Sequence, residues 1–158
     1  MKSIVLLTVL SISLSFAETP TEVLKQYKAS AQAKDFEATW KHTAQFEGLP
    51  EAASAYFKDK VQRIVGIMGD DWDFEILEEK IEGGCAVIVI SENQKAGNAS
   101  FDIDPVYLIQ QNETWKVLPE FTNWRNAGEI IKDQVPTLEK LKVWYKGRKA
   151  ELKEAHSK

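Results

Sequence analysis

The sequence predicts an α+β domain in which three amphipathic helices precede a four-stranded antiparallel sheet and a further helix follows it. Between residues 19 and 68, apolar residues recur at intervals of three and four, which is the helical period. Between residues 73 and 119, four strand-like runs are joined by short segments, and short connections require antiparallel pairing. The 158 residues, 44% of them hydrophobic, suffice for one domain with a real core and argue against a disordered chain.

The first helix begins at a capping box. Thr19 can accept a hydrogen bond from the first turn, Pro20 suits the first helical position, and Glu22 can bond back to the cap. The apolar residues that then share one helical face are Val23, Leu24, Tyr27 and Ala31. We therefore expect this helix to pack on the core through that face.

The second and third helices are bounded by similar signals. Asp35 is expected to cap the second helix and Gly48 to end it. Its apolar face consists of Phe36, Trp40 and Ala44. Pro50 is expected to open the third helix and Gly69 to end it. The apolar residues of the third helix lie three and four apart: Ala53, Phe57, Val61, Ile64 and Met68.

The predicted strands span residues 73–81, 85–91, 100–111 and 115–119. The adjacent Ile76 and Leu77 interrupt the alternation of the first strand and indicate a β-bulge. Gly83 and Gly84 indicate a tight hairpin turn. The runs 86–90 and 106–109 are apolar on both faces, whereas a strand with one solvated face would alternate. A ligand cavity, a partner subunit or another segment of the same chain must therefore cover the second face.

A helical pattern returns from Glu129 and is interrupted at Pro136. Its apolar stripe consists of Leu138, Leu141, Trp144 or Tyr145, and Leu152. A stripe at this spacing most often faces a core, so docking on the sheet is favoured over binding of a partner or a membrane surface. Contact of this helix with a membrane is accordingly not expected.

The first 17 residues have the pattern of a signal peptide. Lys2 supplies a positive charge, an apolar stretch follows at residues 4–16, and Ser15 and Ala17 are the small residues of a cleavage site. The stretch is shorter than the about 20 residues of a membrane-spanning helix, which disfavours the alternative of an uncleaved anchor. The predicted divisions are a signal peptide at 1–17, a main domain at 18–124 and a C-terminal helical extension at 125–158. The mature protein is expected to be secreted or periplasmic.

Charge and composition argue against several classes of partner. The formal net charge is −4, although the tail at 140–158 carries seven Lys or Arg residues against two Glu. Such a tail could bind an anionic surface, but a solvated helix face is the simpler interpretation. Nucleic acid is not expected as a partner, because the domain is acidic and has no nucleic-acid-binding motif. Cys85 has no second cysteine to pair with and is expected to be buried.

Four segments of the chain resemble the NTF2-like superfamily. Residues 19–27 (TPTEVLKQY) and 34–40 (KDFEATW) are similar to the start of its first two helices. Residues 105–109 (PVYLI) and 114–119 (TWKVLP) are similar to its last two strands. The resemblance covers about residues 19–124, and more narrowly it is to small exported members of the DUF4878 or lumazine-binding-like type. These motifs consist of packing and turn residues, so they indicate a fold more than an activity.

The resemblance implies an NTF2-like cone, in which a curved sheet wraps around the long helix and encloses an apolar cavity. Many members of the superfamily dimerise through the outer face of the sheet. Some are enzymes, and the ketosteroid isomerase type holds an oxyanion with a tyrosine and a protonated carboxylic acid. Tyr27, with Asp102 or Asp104, could fill those roles here. The two aspartates are equally well explained as solubilising charges at the start of a strand.

Other reaction chemistries have no supporting constellation. Cys85, His42 and His156 lack the surrounding signatures of nucleophilic catalysis. Two histidines far apart in the sequence do not provide the ligands of a zinc site. No glycine-rich phosphate loop precedes a helix. Neither a metal ion nor a cofactor is therefore expected.

The aromatic residues, which include five Trp and four Tyr, are compatible with a binding site. A cavity lined by rings and a few hydroxyls suits a flat apolar ligand, although core packing explains the rings as well. The ligand-binding candidates are Tyr27, Trp40, Tyr56, Asp102 and Tyr107. The expected function is non-catalytic binding of a small apolar ligand or a protein partner. A small isomerase or dehydratase with a Tyr/Asp pocket and a homodimeric interaction module are the alternatives.

Overall fold

The computed structural model describes residues 18–47, 49, 51–67, 73–92, 102–119 and 131–156. The predicted signal peptide at 1–17 and the predicted boundary at residue 124 lie outside these residues. The helices are α1 (Pro20–Gln32), α2 (Phe36–His42), α3 (Glu51–Ile67) and α4 (Val135–His156). The strands are β1 (Phe74–Glu82), β2 (Cys85–Glu92), β3 (Asp102–Gln111) and β4 (Thr114–Val117). The α+β class and the order of elements predicted from the sequence are confirmed.

The capping box at the start of α1 is formed as predicted. The side chain of Thr19 accepts a hydrogen bond from the backbone N–H of Glu22 at 3.2 Å. The carboxylate of Glu22 in turn accepts one from the backbone N–H of Thr19 at 2.8 Å. Two N–H groups that the helix itself leaves unpaired are thus satisfied.

The second helix ends earlier than the sequence predicts. Asp35 caps it by accepting a hydrogen bond from Ala38, but the helix stops at His42 rather than continuing past Ala44. Thr43 is extended and forms a parallel bridge with Val117 of β4, and the Ala44 N–H donates to the Val117 carbonyl at 2.8 Å. Hydrogen bonds to the sheet therefore replace the next helical turn. The predicted stop at Gly48 lies outside the described residues.

The four strands form one antiparallel sheet in the order β1-β2-β3-β4. The register of β1 against β2 shifts between Ile76 and Glu78, which confirms the predicted bulge. Gly83 and Gly84 have φ values of 52° and 73°, the left-handed conformation that a tight two-residue hairpin requires. Asn112 and Glu113 adopt the same conformation in the turn between β3 and β4.

The inner face of the sheet packs against α1. Its buried residues on β2 and β3 are Ala86, Ile88, Ile90 and Leu108, and Trp115 and Val117 of β4 extend the same cluster. From α1, the residues Val23, Leu24 and Tyr27 complete this core, as the predicted helical face requires. Ile64 of α3 and Val106 of β3 are partly buried against it.

The outer face of the sheet is covered by α4. Val87 and Ile109 pack with Leu138 and Leu141 in one cluster, and Val89 and Ile103 pack with Tyr145 and Leu152 in a second. The docking of the C-terminal stripe on the sheet is therefore confirmed. Because α1 and α4 cover opposite faces, β2 is buried along its length, which explains its lack of alternation.

Pro136 does not interrupt the last helix. It lies in the first turn of α4, which begins at Val135, where proline costs no intrahelical hydrogen bond. A turn at residues 131–134 precedes the helix, and its Ile131 carbonyl accepts from the N–H groups of Gln134 and Val135. No helix in the described part of the chain has both the length and the apolar character that crossing a bilayer requires.

Candidate functional site

Five aromatic side chains that are at least partly exposed lie on α2, α3 and the segment between them, as one pair and one group of three rings in contact. We call them the aromatic surface, and they are Phe36, Trp40, Phe46, Tyr56 and Phe57. None of the five is fully buried. These rings therefore remain in contact with water.

The α2 part of the aromatic surface is built by the helical period. Phe36 and Trp40 are four residues apart, so both rings lie on the same side of the helix. Their centroids are 6.1 Å apart and their planes differ by 15°, which is a stacked arrangement. The pair packs on a small core formed by Ala31, Val61 and Val65, and both rings stay partly exposed.

The α3 part of the aromatic surface includes the most exposed ring. Tyr56 is 55% exposed, and its ring lies 5.9 Å from that of Phe57 in an edge-on contact. Phe57 in turn lies 6.0 Å from Phe46, which follows the segment that pairs with β4. The early end of α2 thus brings Phe46 to α3. A continuing helix would have carried this ring elsewhere.

Two lysines of α3 lie beside the rings. The Nζ of Lys58 is 5.8 Å from the centroid of the Trp40 ring, and the Nζ of Lys60 is 5.6 Å from that of Tyr56. Both distances are within the range of cation–π attraction. The aromatic surface therefore combines apolar ring area with positive charge.

The two candidate catalytic carboxylates are held by α4 at the start of β3. Lys149 lies 3.5 Å from Asp102 and 3.9 Å from Asp104, and Lys153 lies 3.3 Å from Asp102. The aspartate side chains are 50% and 43% exposed, respectively. Tyr145 of α4 donates a 2.6 Å hydrogen bond to the carbonyl of the intervening Ile103. Together these contacts hold the C-terminal half of α4 against β3, and we refer to them as the α4–β3 clamp.

The clamp places its two carboxylates in different electrostatic surroundings. The pKa of Asp102 is lowered, chiefly by a hydrogen bond from the Ile103 N–H and by Lys153. The pKa of Asp104 is raised, because partial burial and the charge of Asp102 outweigh the attraction of Lys149 and Lys153. A raised pKa is what a proton donor needs, but the shift arises here in a contact between two structural elements.

The two candidate tyrosines with restricted exposure lie on opposite faces of the sheet. Tyr27 is 4% exposed in the inner core, and burial raises its pKa to about 12. Tyr107 is partly buried against the outer-face cluster, where burial and then the neighbouring Tyr145 raise its pKa. The sheet therefore separates the two side chains.

The predicted ligand-binding residues fall into separate groups. Trp40 and Tyr56 belong to the aromatic surface. Tyr27 lies in the inner core, Tyr107 under α4, and Asp102 in the clamp. The sequence prediction placed Phe46 inside the second helix, which was expected to run to Gly48, and not on its apolar face. Its approach to Phe57 depends on the pairing of residues 43–44 with β4, for which the sequence carries no local signal.

The described residues contain neither a metal-ligand cluster nor an unsatisfied buried polar side chain. Across those ranges, no group of three or more His, Cys, Asp or Glu side chains is placed to hold a metal ion. Within the same ranges, no buried polar side-chain atom lacks a hydrogen-bond partner. The most prominent candidate site in this part of the chain is therefore the aromatic surface.

Solved structures with a similar fold include a protein from Campylobacter jejuni described as an NTF2-like transpeptidase. It is 19% identical, with a TM-score of 0.52 over 65% of this chain and 100% of that one. A calcium/calmodulin-dependent protein kinase type II association domain from Thiobacillus denitrificans is 12% identical, with a TM-score of 0.48 over 66% and 98% of the two chains. An NTF2-like protein of unknown function from Cytophaga hutchinsonii is 10% identical, with a TM-score of 0.43 over 72% and 98%.

No protein-family model matches the sequence, and no curated protein matches it significantly. Identity as low as that to the solved structures establishes a fold and leaves activity open. The observed order, helices followed by an antiparallel sheet, agrees with the resemblance in the helix and strand motifs. The chain therefore has the NTF2-like fold that its sequence predicts.

Proposed function

We propose that this protein is an exported, non-catalytic binding protein whose aromatic surface takes a small apolar ligand. The observation that carries the proposal is a set of five aromatic side chains on α2, α3 and the segment between them, none of them fully buried, which form two groups of rings in contact. Covering water-exposed rings with a ligand is favourable because it removes apolar surface from water. Flat ligands also allow the stacked geometry that aromatic rings prefer. Apolar side chains that cluster at a protein surface commonly mark a binding site.

The enzyme alternative receives less support. Asp102 and Asp104 are half exposed and paired with lysines of α4, whereas Tyr27 of α1 lies in the core against the inner face of the sheet. A pocket that used all three groups would have to desolvate the carboxylates and release them from the lysines. The contacts of the aspartates are explained by the docking of α4 alone.

The homodimer alternative also has a specific difficulty. In the superfamily the outer sheet face is the expected dimer surface, but here Leu138, Leu141, Tyr145 and Leu152 of α4 occupy it. A second copy could use this face only if α4 moved away. We therefore prefer a ligand on the aromatic surface to a second copy on the sheet.

The ligand proposal is tested with 2-naphthamide, a flat neutral probe, by equilibrium dialysis against the purified protein. Loss of one stacking ring should weaken binding by about 2- to 10-fold, so Trp40→Ala and Tyr56→Ala should each raise the Kd by such a factor. Val143→Ala is the matched control, because Val143 is a 69% exposed apolar residue on α4. Binding that is absent, or that is unchanged in both ring variants, would refute the proposal.

The export proposal rests on the N-terminal pattern and on the resemblance to exported members of the DUF4878 or lumazine-binding-like type. Expression of the full chain in a bacterial host should yield a periplasmic or secreted protein whose first residue is Glu18. N-terminal sequencing identifies the start of the chain. Recovery of the protein with residues 1–17 still attached, in the membrane fraction, would support an uncleaved anchor instead.

A further inference from the structure

We infer that the ligand of the aromatic surface is a ring-bearing organic anion, such as an aromatic carboxylate or sulfonate. This inference rests on the proposed function, to which it adds the chemical class of the ligand. It is carried by the two ammonium groups beside the rings, Lys58 at 5.8 Å from the Trp40 centroid and Lys60 at 5.6 Å from the Tyr56 centroid.

The charges of Lys58 and Lys60 are not neutralised by ion pairs within the described residues. Asp59, which lies between them in the sequence, pairs with Arg63 at 2.8 Å. Neither lysine forms a salt bridge with any other side chain that the structure describes. Both ammonium groups are therefore available to an anion that approaches the rings.

Several other lysines of the described chain are paired with carboxylates. Lys28 pairs with Asp73 at 2.7 Å, Lys140 with Glu82 at 3.3 Å, and Lys153 with Asp102 at 3.3 Å. Lys58 and Lys60 have no such carboxylate within the described residues, and their ammonium groups lie over rings of the aromatic surface. Positive charge and apolar area thus coincide on the aromatic surface, where a ligand with both complementary features gains most.

The ring contacts also reduce the entropic cost of binding. Each lysine is attracted to the face of a ring, so its ammonium group is already near the position in which a bound anion would meet it. The site is exposed and salt screens it, so we expect the charge to contribute a several-fold preference and not an absolute requirement. A neutral ring compound should still bind through the aromatic side chains alone.

The test compares 2-naphthoate with 2-naphthamide, which have the same ring system and differ in charge. Equilibrium dialysis at low ionic strength should show 2-naphthoate binding about 3- to 10-fold more tightly, as expected for an exposed charge contact. The double variant Lys58→Gln/Lys60→Gln should reduce this preference to less than about 2-fold while leaving the Kd for 2-naphthamide nearly unchanged. Lys146→Gln is the matched control, since Lys146 is an exposed lysine on α4.

The outcomes separate the inference from the proposed function. Equal binding of the two probes, or a preference that survives the double variant, would overturn the inference and leave the aromatic surface as a site for neutral ligands. If Lys146→Gln abolishes the preference for 2-naphthoate as fully as the double variant does, the preference comes from the net charge of the protein. That result would also overturn the inference. Failure of both probes to bind would refute the proposed function and the inference together. Thermal unfolding of each variant verifies that it is folded.

Discussion

At the scale of single residues, Asp102 and Asp104 show that local contacts set the direction in which a carboxyl pKa shifts. They are two positions apart on one strand, with nearly the same exposure, and yet their pKa values shift in opposite directions. Asp102 gains a backbone hydrogen bond and Lys153, whereas burial and the charge of Asp102 dominate at Asp104. Only the first of the two carboxylates therefore favours the folded state when it is ionised.

This difference predicts opposite effects of two substitutions on stability. Asp102 has a folded-state pKa below its ordinary value of 3.8. Its ionised carboxylate therefore stabilises the folded state above pH 3.8, and this stabilisation is lost as the pH falls through the folded-state pKa. Asp102→Asn should destabilise the protein at pH 7 by less than about 1 kcal/mol, because the group is exposed. The loss should disappear in strongly acidic solution, and chemical denaturation at several pH values measures it.

Asp104→Asn is the partner experiment. The folded-state pKa of Asp104 lies above 3.8. Asp104 is therefore most favourable to the stability of the folded protein below pH 3.8, where it is protonated, and this advantage is lost as the pH rises through the folded-state pKa. The substitution should therefore be neutral or slightly stabilising at pH 7 and should bring no gain at pH 3. A loss of stability at pH 7 equal to that of Asp102→Asn would contradict this assignment.

At the scale of elements, α4 is the helix whose docking the sequence left open. Its contacts are apolar at the centre, where Leu138 and Leu141 are fully buried, and polar at the margins. Arg148 lies 3.1 Å from Glu78 of β1, and Lys149 and Lys153 reach the aspartates of β3. Exposed ion pairs of this kind contribute little each, so the apolar stripe carries most of the docking energy.

We therefore expect Leu141→Ala to loosen α4. Truncation of a fully buried leucine costs about 2–5 kcal/mol, and here the cost should fall on the contact between α4 and the outer face. Cys85 belongs to the same cluster and is fully buried, and burial raises its pKa to about 11. Its reaction with a thiol reagent at pH 8 should accelerate in the variant.

Val143→Ala is the control for this measurement, because the side chain lies on the exposed side of α4. It should change the free energy of unfolding by less than about 0.5 kcal/mol and leave the labelling rate of Cys85 unaltered. Equal labelling rates in the Leu141 and Val143 variants would show that α4 does not protect the outer face.

At the scale of the whole molecule, the sheet is a middle layer whose two apolar faces must both be covered by helices. The inner face is covered by α1, and the outer face by α4. Without α4, the buried side chains Val87, Val89, Ile103 and Ile109 would form a continuous apolar surface, which soluble monomers rarely expose.

A chain that ends at residue 128 should therefore self-associate or aggregate. Size-exclusion chromatography would show species larger than the monomer, since the outer face would be buried between copies or against misfolded chains. A chain that ends after Leu152 keeps the stripe on α4 and should behave like the full protein. A folded monomer after removal of residues 129–158 would contradict the dependence of the outer face on α4.

Much of the fold follows from patterns within a few residues of one another. The capping box at Thr19, the bulge near Leu77 and the Gly83-Gly84 turn are all predicted correctly, because each depends on the chemistry of neighbouring positions. The sequence did not predict the early end of α2 or the place of Pro136 in the first turn of α4. At Thr43 the competing partner is Val117, which is far away in the sequence.

The sequence by itself determined the α+β class, the order of the elements and the need to cover β2 on both faces. Only the tertiary structure decided that α4 supplies the second cover and that Phe46 contacts Phe57 of α3, beside Tyr56. The reason is physical. Periodicity, caps and turns act locally along the chain, whereas the choice among several apolar partners depends on which surfaces meet when the whole chain is packed.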